Sequence, residues 1–300
     1  MRVLVVGRIG QVGTELALKL PAAGHAVLSL EPPDLDLLQP ATVRTAFDAF
    51  RPEIVVNAAA YTAVDKAEDD SALAYAINRD GTALLGRETA RLGVPMIHFS
   101  TDYVFAGDKP TPYVEADPTG PVGVYGASKL AGDEALLAAN PRSVVLRTAW
   151  VCSAHGGNFV KTMLRLGRDR PELGVVADQQ GAPTFADDLA DAVVALIPRL
   201  AAAPAGDPGF GTFHLTGAPF TTWHGFAAAI FAGAAARGET TPRLNAITTA
   251  DYPTKAQRPA NSWLDCTRIT RVHGIKPADW RVSLDRCLTA LTGKHGKAAP

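Results

Sequence analysis

Long apolar runs are missing from this chain. No stretch reaches the ~18 apolar residues of a membrane-spanning helix, so no transmembrane segment is expected. An excess of one charge is missing too. Lys and Arg total 29 against 30 Asp and Glu, a net charge of -1, and no basic cluster stands out. A nucleic-acid surface needs such a cluster, so nucleic acid is not expected as a partner. Cysteine is scarce: Cys152, Cys266 and Cys287 are far apart and odd in number. They offer neither metal-ligand spacing nor a disulfide framework, and they fit a reducing cytoplasm. No signal peptide is expected, because Met1-Arg2-Val3-Leu4-Val5-Val6-Gly7 runs straight into a glycine turn. The rest is ordinary globular composition, 47% apolar and 20% charged over 300 residues. That leaves room for one large domain or two unequal ones.

Residues 3–6 are uniformly apolar, the pattern of a strand buried on both faces. They end in Gly7-Arg8-Ile9-Gly10-Gln11-Val12-Gly13, and a helical segment follows over 14–20. Strand, glycine turn and helix together are the setting of a dinucleotide site. Gly7 permits the tight turn, Gly10 lets the backbone approach a pyrophosphate, and Gly13 lets helix and strand pack closely. The helix N-terminus aims N–H groups and a partial positive charge at the phosphates. The spacing is Gly-x-x-Gly-x-x-Gly, so a plain strand-to-helix turn is the competing reading. A second strand, 26–30, ends at Glu31, where an acid binds the ribose hydroxyls of NAD and repels the extra phosphate of NADP. Pro32 and Pro33 follow it and leave its direction open.

Residues 34–38 read as a loop and 41–50 as a helix with one apolar face. A third buried strand, 54–56, ends in the small residues Asn57-Ala58-Ala59-Ala60, followed by Tyr61-Thr62. Residues 71–92 read as one long helix, interrupted near Gly81, with Asn78 a polar residue on its face. The fourth strand, 94–99, runs into Ser100-Thr101-Asp102-Tyr103. That run is either a site at a strand's C-terminal end or a turn cluster. Residues 105–123 form a loop. The fifth strand, 143–147, is followed by Thr148-Ala149-Trp150-Val151. Five alternations predict an α/β fold with a doubly wound parallel sheet, the Rossmann architecture. Residues 1–150, with part of 175–200, form the expected dinucleotide-binding domain. Residues 151–300 form mainly a smaller C-terminal substrate-binding region. It holds helices at 159–168, 185–200, 222–237 and 283–291, short strands at 174–176 and 213–215, and a frayed tail from Gly293 to Pro300. Asp187 and Asp188 suit a helix N-terminus.

Tyr125 and Lys129 stand four residues apart at the start of a helical segment, so both leave one face. A phenol ionises near pH ~10, and a neighbouring ammonium favours the phenolate. Such a pair can trade protons near neutrality. The alternative is a half-exposed helix start.

These residues also carry a resemblance. The stretches are Gly7 to Gly13, Asn57-Ala58-Ala59-Ala60-Tyr61-Thr62-Ala63-Val64-Asp65-Lys66-Ala67-Glu68 and Ser100-Thr101-Asp102-Tyr103-Val104-Phe105. With them go Tyr125-Gly126-Ala127-Ser128-Lys129-Leu130-Ala131-Gly132, Arg147-Thr148-Ala149-Trp150-Val151, Asn158 to Leu164, Asp178-Gln179-Gln180-Gly181-Ala182-Pro183-Thr184 and Arg258-Pro259-Ala260-Asn261-Ser262. In this order, and over nearly the whole chain, they resemble the extended short-chain dehydrogenase/reductase superfamily. Within it the chain is similar to the dTDP-4-dehydrorhamnose reductase family.

The resemblance implies that NADPH or NADH reduces the C4 ketone of a dTDP-4-keto sugar. It implies that Tyr125 donates the proton, that Lys129 holds the ribose hydroxyls and lowers the phenol's pKa, and that Thr101 bonds the reacting oxygen. Gly10, Gln11 and Val12 would cradle the pyrophosphate. Asp36 and Leu37 would sit at the adenine end, and Ala60, Tyr61 and Thr62 would line the cofactor. Asp102 and Trp150 would contact the sugar, with Arg258 and Asn261 near the diphosphate. Some relatives bind Mg2+ between subunits through glutamates. Glu15 matches, but Asp187 and Ala290 depart from that pattern, so neither that ion nor that form of homodimer is expected. Cys152 departs from the usual tyrosine beside the sugar pocket. An epimerase-type nucleotide-sugar enzyme and a non-catalytic cofactor-binding subunit remain the alternatives.

Overall fold

The computed structural model describes residues 1–293. Most of the tail expected to fray, 294–300, lies outside the described residues. The centre is a six-stranded parallel sheet of β1 (Arg2–Val6), β2 (Ala26–Leu30), β3 (Ile54–Asn57), β4 (Met96–Thr101), β5 (Ser143–Thr148) and β6 (Gly211–His214). Their spatial order is β6-β5-β4-β3-β1-β2. The chain leaves β1 for β2 on one side, then crosses back to β3 and continues the other way. That reversal opens a crevice at the C-terminal ends of β1 and β3, where open α/β sheets bind ligands.

Uniformly apolar strands arise because helices cover both faces. Val3, Val5, Ile54, Val56, Ile97, Val144 and Leu146 meet α1 (Gln11–Ala22) on one face. The alternate residues Leu4, Val6, Val55, Met96 and Val145 meet α2 (Pro40–Phe50) and the Thr82–Leu92 helix on the other. The Ala186–Ala202 helix comes from the second half of the chain. It buries Leu189, Val193, Leu196, Ile197 and Leu200 in the first of these cores. A separate core gathers Val160, Met163, Leu173, Val175, Phe185, Phe226, Ile230, Trp280, Leu284 and Leu288.

Local details refine the sequence reading. The helical run over 71–92 is interrupted near Gly81 as expected, and the interruption is a π-turn at Ala76–Gly81 between Ser71–Tyr75 and Thr82–Leu92. Single π-turns inside helices cluster at functional sites. The strand Glu172–Val176 has a parallel partner, Arg243–Ile247, which the sequence analysis leaves unassigned. It is a partly exposed two-stranded ribbon, without the uniform apolar pattern of a core strand. The short helix Thr267–His273 also goes unread.

Candidate active site

The glycine turn is built as its sequence requires. Gly7 has φ +97°, and a Cβ there would lie 2.6 Å from the Ala59 nitrogen. A Cβ on Gly13 would lie 1.9 Å from the Gly7 carbonyl oxygen. Gly10 meets nothing closer than 3.5 Å, so its surface stays open for a ligand to approach. No side chain caps α1. Its first internal bond runs from the Thr14 N–H to the Gly10 oxygen at 2.9 Å, which leaves the N–H groups of Gln11, Val12 and Gly13 at the bare helix end. The Gln11 amide ties the turn to the C-terminal half. It donates to Val151 O at 3.3 Å and accepts from Asn158 Nδ2 at 2.9 Å. Val12 packs on the core.

Glu31 turns back to this loop, accepting from Arg8 Nη2 at 3.1 Å and the Ile9 N–H at 3.2 Å. The direction that Pro32 and Pro33 left open is thereby settled. The Asp36 carboxylate accepts from the Leu38 N–H at 2.9 Å and Gln39 Nε2 at 3.1 Å, holding the turn before α2. Leu37 lies against Gly81 of the π-turn, whose added Cβ would come within 2.7 Å of Leu37. Ala60, Tyr61 and Thr62 leave the end of β3, and the Tyr61 hydroxyl donates to Asp70 at 3.0 Å.

Asn78 is the residue the sequence reading undervalues. It is buried at the centre of the π-turn. Its Oδ1 accepts from the Tyr61 N–H at 2.8 Å, and its Nδ2 donates to Tyr61 O at 3.2 Å and Ser128 Oγ at 3.0 Å. One amide thus joins the loop after β3 to the helix that carries Tyr125.

That helix is Val124–Ala139. Two glycines set how close it sits. A Cβ on Gly126 would lie 2.1 Å from Tyr103 O, and one on Gly132 would lie 2.1 Å from Asn78 O. Tyr125 is half-buried, its ring edge-on to Tyr103 with centroids 5.5 Å apart. Thr101 ends β4 and is buried; its hydroxyl donates to Asp102 Oδ1 at 3.0 Å and accepts from the Tyr103 N–H at 3.2 Å. Burial pushes the Asp102 carboxyl up to about 6 against the hydroxyls of Ser262 and Thr101, and its Oδ2 has no partner.

The electrostatics of Tyr125 reverse the sequence expectation. Dense packing around its hydroxyl pushes the phenol above its ordinary value, and a hydrogen bond with Thr101 only partly opposes this. The Lys129 ammonium does not lower it. Lys129 Nζ is buried against the sheet, donating to Phe99 O at 2.7 Å and lying 3.1 Å from His98 Nε2. Burial lowers Lys129 to about 8. Desolvation of a phenolate outweighs a cation whose bonds go elsewhere.

A cavity of about 790 Å3 opens beside Tyr103, lined among others by Asp65, Phe159, Trp223, Tyr252 and Arg258. Arg258 pairs with Asp65 at 2.5 Å, while its Nη1 is buried without a partner. Trp150 adopts φ +50° and stacks on Trp223 with centroids 3.7 Å apart. Gly181 makes room for it, since a Cβ there would touch the indole at 2.7 Å. Trp223 itself faces the cavity, and the sequence reading passes it over as a helix start. Two expectations fail here. The Asn261 amide is spent on Lys109 O, Thr111 O and the Trp263 N–H, so it braces a loop. Cys152 points into the second core, not into a pocket, and burial pushes its thiol up to about 12.

Glu15 lies 3.5 Å from His155 Nε2, and Arg286 holds both Asp187 and Asp188. Among the described residues no three His, Cys, Asp or Glu side chains gather to hold a metal, and no helix is long and apolar enough to cross a membrane.

Comparison with known proteins agrees with this geometry. The family model described as RmlD substrate binding domain matches residues 1–292. A dTDP-4-dehydrorhamnose reductase of Sinorhizobium fredii is 46% identical over 97% of this chain and 98% of its own. The solved structure of a dTDP-4-dehydrorhamnose reductase from Clostridium acetobutylicum superposes with a TM-score of 0.90 at 35% identity, covering 97% of this chain and 99% of that one. That of a Bacillus anthracis dTDP-4-dehydrorhamnose reductase in complex with NADP has a TM-score of 0.88 at 33% identity, covering 96% and 98%. On this evidence of sequence, fold and site, the chain belongs to the RmlD substrate-binding-domain family, among the dTDP-4-dehydrorhamnose reductases of the extended short-chain dehydrogenase/reductase superfamily.

Proposed function

We propose that this protein reduces the C4 ketone of dTDP-4-dehydro-L-rhamnose to give dTDP-L-rhamnose, using NADPH or NADH, with Tyr125 as the proton donor. One observation carries the assignment of the donor. Tyr125 stands beside Thr101 and Asp102 at the C-terminal edge of β4, with its ring edge-on to Tyr103, a wall of the cavity.

The bare N-terminus of α1 and the open Gly10 surface fit a dinucleotide pyrophosphate, with Gln11, Val12 and Gly13 offering N–H groups. Glu31 suits a ribose hydroxyl, and Arg8 beside it suits an added phosphate, so both nicotinamide cofactors have a partner. Asp36 and Leu37 are assigned to the adenine end, and Ala60, Tyr61 and Thr62 to the cofactor's flank. The bound nicotinamide supplies the hydride. Tyr125 then gives its proton to the ketone oxygen as that oxygen gains charge. Its raised pKa keeps the phenol protonated at pH 7, which suits a donor. Thr101 is assigned to the reacting oxygen, and Lys129 to a ribose hydroxyl through an ammonium N–H that Phe99 O does not take. Arg258, with its unpartnered Nη1, takes the diphosphate. Asp102 and Trp150 bound the sugar subsite, Trp150 through its stack on Trp223.

Residues 1–150 with the returning 186–214 segment serve as the cofactor half, and the remainder of 151–300 serves mainly the sugar nucleotide. Three free, buried cysteines suit the cytoplasm. The test is consumption of NADPH or NADH in the presence of dTDP-4-dehydro-L-rhamnose. Stoichiometric oxidation supports reduction. Interconversion of sugars without net oxidation identifies an epimerase, and binding without turnover identifies a cofactor-binding subunit.

A further inference from the structure

Behind Tyr125 lies a buried polar chain that proton donation does not itself require. Asn57 ends β3 and His98 sits beside it in register on β4. Lys129 and Asp133 face them from the Val124–Ala139 helix, and Ser100 and Arg147 complete the group from β4 and β5. All six side chains are buried.

The direction of this chain is fixed at one end by the backbone. The Ala59 N–H can only donate, and it donates to Asn57 Oδ1 at 3.0 Å. Asn57 must then present Nδ2 to His98 Nδ1, 3.0 Å away. His98 Nδ1 therefore accepts and carries no proton. A neutral imidazole has one N–H, so it lies on Nε2. Burial, followed by the Lys129 charge, holds His98 well below the ordinary imidazole range, so the ring is neutral. Its Nε2–H meets Lys129 Nζ at 3.1 Å, with Asp133 Oδ1 at 3.8 Å. An ammonium has no lone pair to accept that N–H, whereas an amine does.

We propose that Asn57 and His98 are positioning residues that act through Lys129, meeting it with a fixed N–H and so favouring its uncharged amine. Asp133 acts in the opposite sense and favours the ammonium. The other groups facing the site are Arg147, which pairs with Asp133 at 3.5 Å, and Asp102, Tyr103 and Thr101 around Tyr125. The π-turn contributes only the neutral Asn78. Lys129 is thereby balanced between two buried partners of opposite preference.

The inference rests on the reading in which charged Lys129 serves catalysis. Turnover then has an alkaline limb where Lys129 loses its proton. His98→Gln offers a carbonyl in place of the fixed N–H, and that limb should move up by about one pH unit, as expected for a charge-assisted hydrogen bond gained. Asp133→Asn should move it down. Nitrogen-15 correlation spectra of the wild-type imidazoles, with His98 assigned through its contact with the Asn57 amide, should show an Nε2–H tautomer that does not titrate between pH 5.5 and 9. An Nδ1–H tautomer, or an unmoved limb in folded His98→Gln, overturns the proposal. The tautomer is read without turnover, so it decides the clamp even where the keto sugar is not reduced and the reductase reading falls.

Discussion

Replacing Asn78 by alanine should uncouple the loop after β3 from the helix that carries Tyr125. The wild-type amide makes three hydrogen bonds, two to the backbone of Tyr61 and one to Ser128. Ser128 keeps a second partner, Tyr125 O at 2.9 Å, so its loss is small. The Tyr61 N–H and C=O lose theirs. An unpaired buried polar group costs about 1–3 kcal/mol. Tyr61 is half-buried and water can reach part of it, so the pair together should cost about 2–4 kcal/mol. The assay is urea unfolding at pH 7, where the midpoint should fall with the slope unchanged. In thermal unfolding the same loss corresponds to a Tm lowered by roughly 3–6 °C. The cofactor KM should rise in parallel, because the flank formed by Tyr61 is no longer held. A midpoint within about 0.5 kcal/mol of wild type would show that the π-turn amide is not a structural hub.

Gly132→Ala should destabilise the fold and slow turnover together, because its Cβ has only 2.1 Å to the Asn78 carbonyl oxygen; wild-type values for both would refute the close approach. Asp102→Asn should be pH-dependent. With Asp102 raised to about 6 in the folded chain and ~3.9 unfolded, the native state holds the extra proton between those values. Its stabilising effect is complete below pH ~4 and is lost as pH rises through about 6. The variant should therefore gain about 2–3 kcal/mol over wild type at pH 7 and nothing at pH 4, by urea unfolding at both. Equal gains at the two values would contradict a buried, raised carboxyl.

The parallel sheet was readable because strands covered on both faces must be apolar throughout, as at Val3–Val6, and helices between them must show the 3.6 period. The glycine turn was readable because Gly7 and Gly13 have no room for a Cβ. Other features depend on partners distant in the chain. Asn78 looks like any helical asparagine, since a π-turn shares its residues with an α-helix. The spacing of Tyr125 and Lys129 places both on one face but does not say where the ammonium goes. That is decided by His98 and Phe99, about thirty residues earlier. Trp223 becomes a cavity wall only through its stack on Trp150, made possible by Gly181. Cys152 lies in a two-residue strand, too short for alternation to assign its face.

The central claim is that Tyr125 delivers the proton. Single-turnover reduction of dTDP-4-dehydro-L-rhamnose by Tyr125→Phe, with cofactor binding measured alongside, tests it most directly. The account predicts turnover reduced at least ~100-fold with cofactor affinity retained. Wild-type turnover in that variant would contradict it.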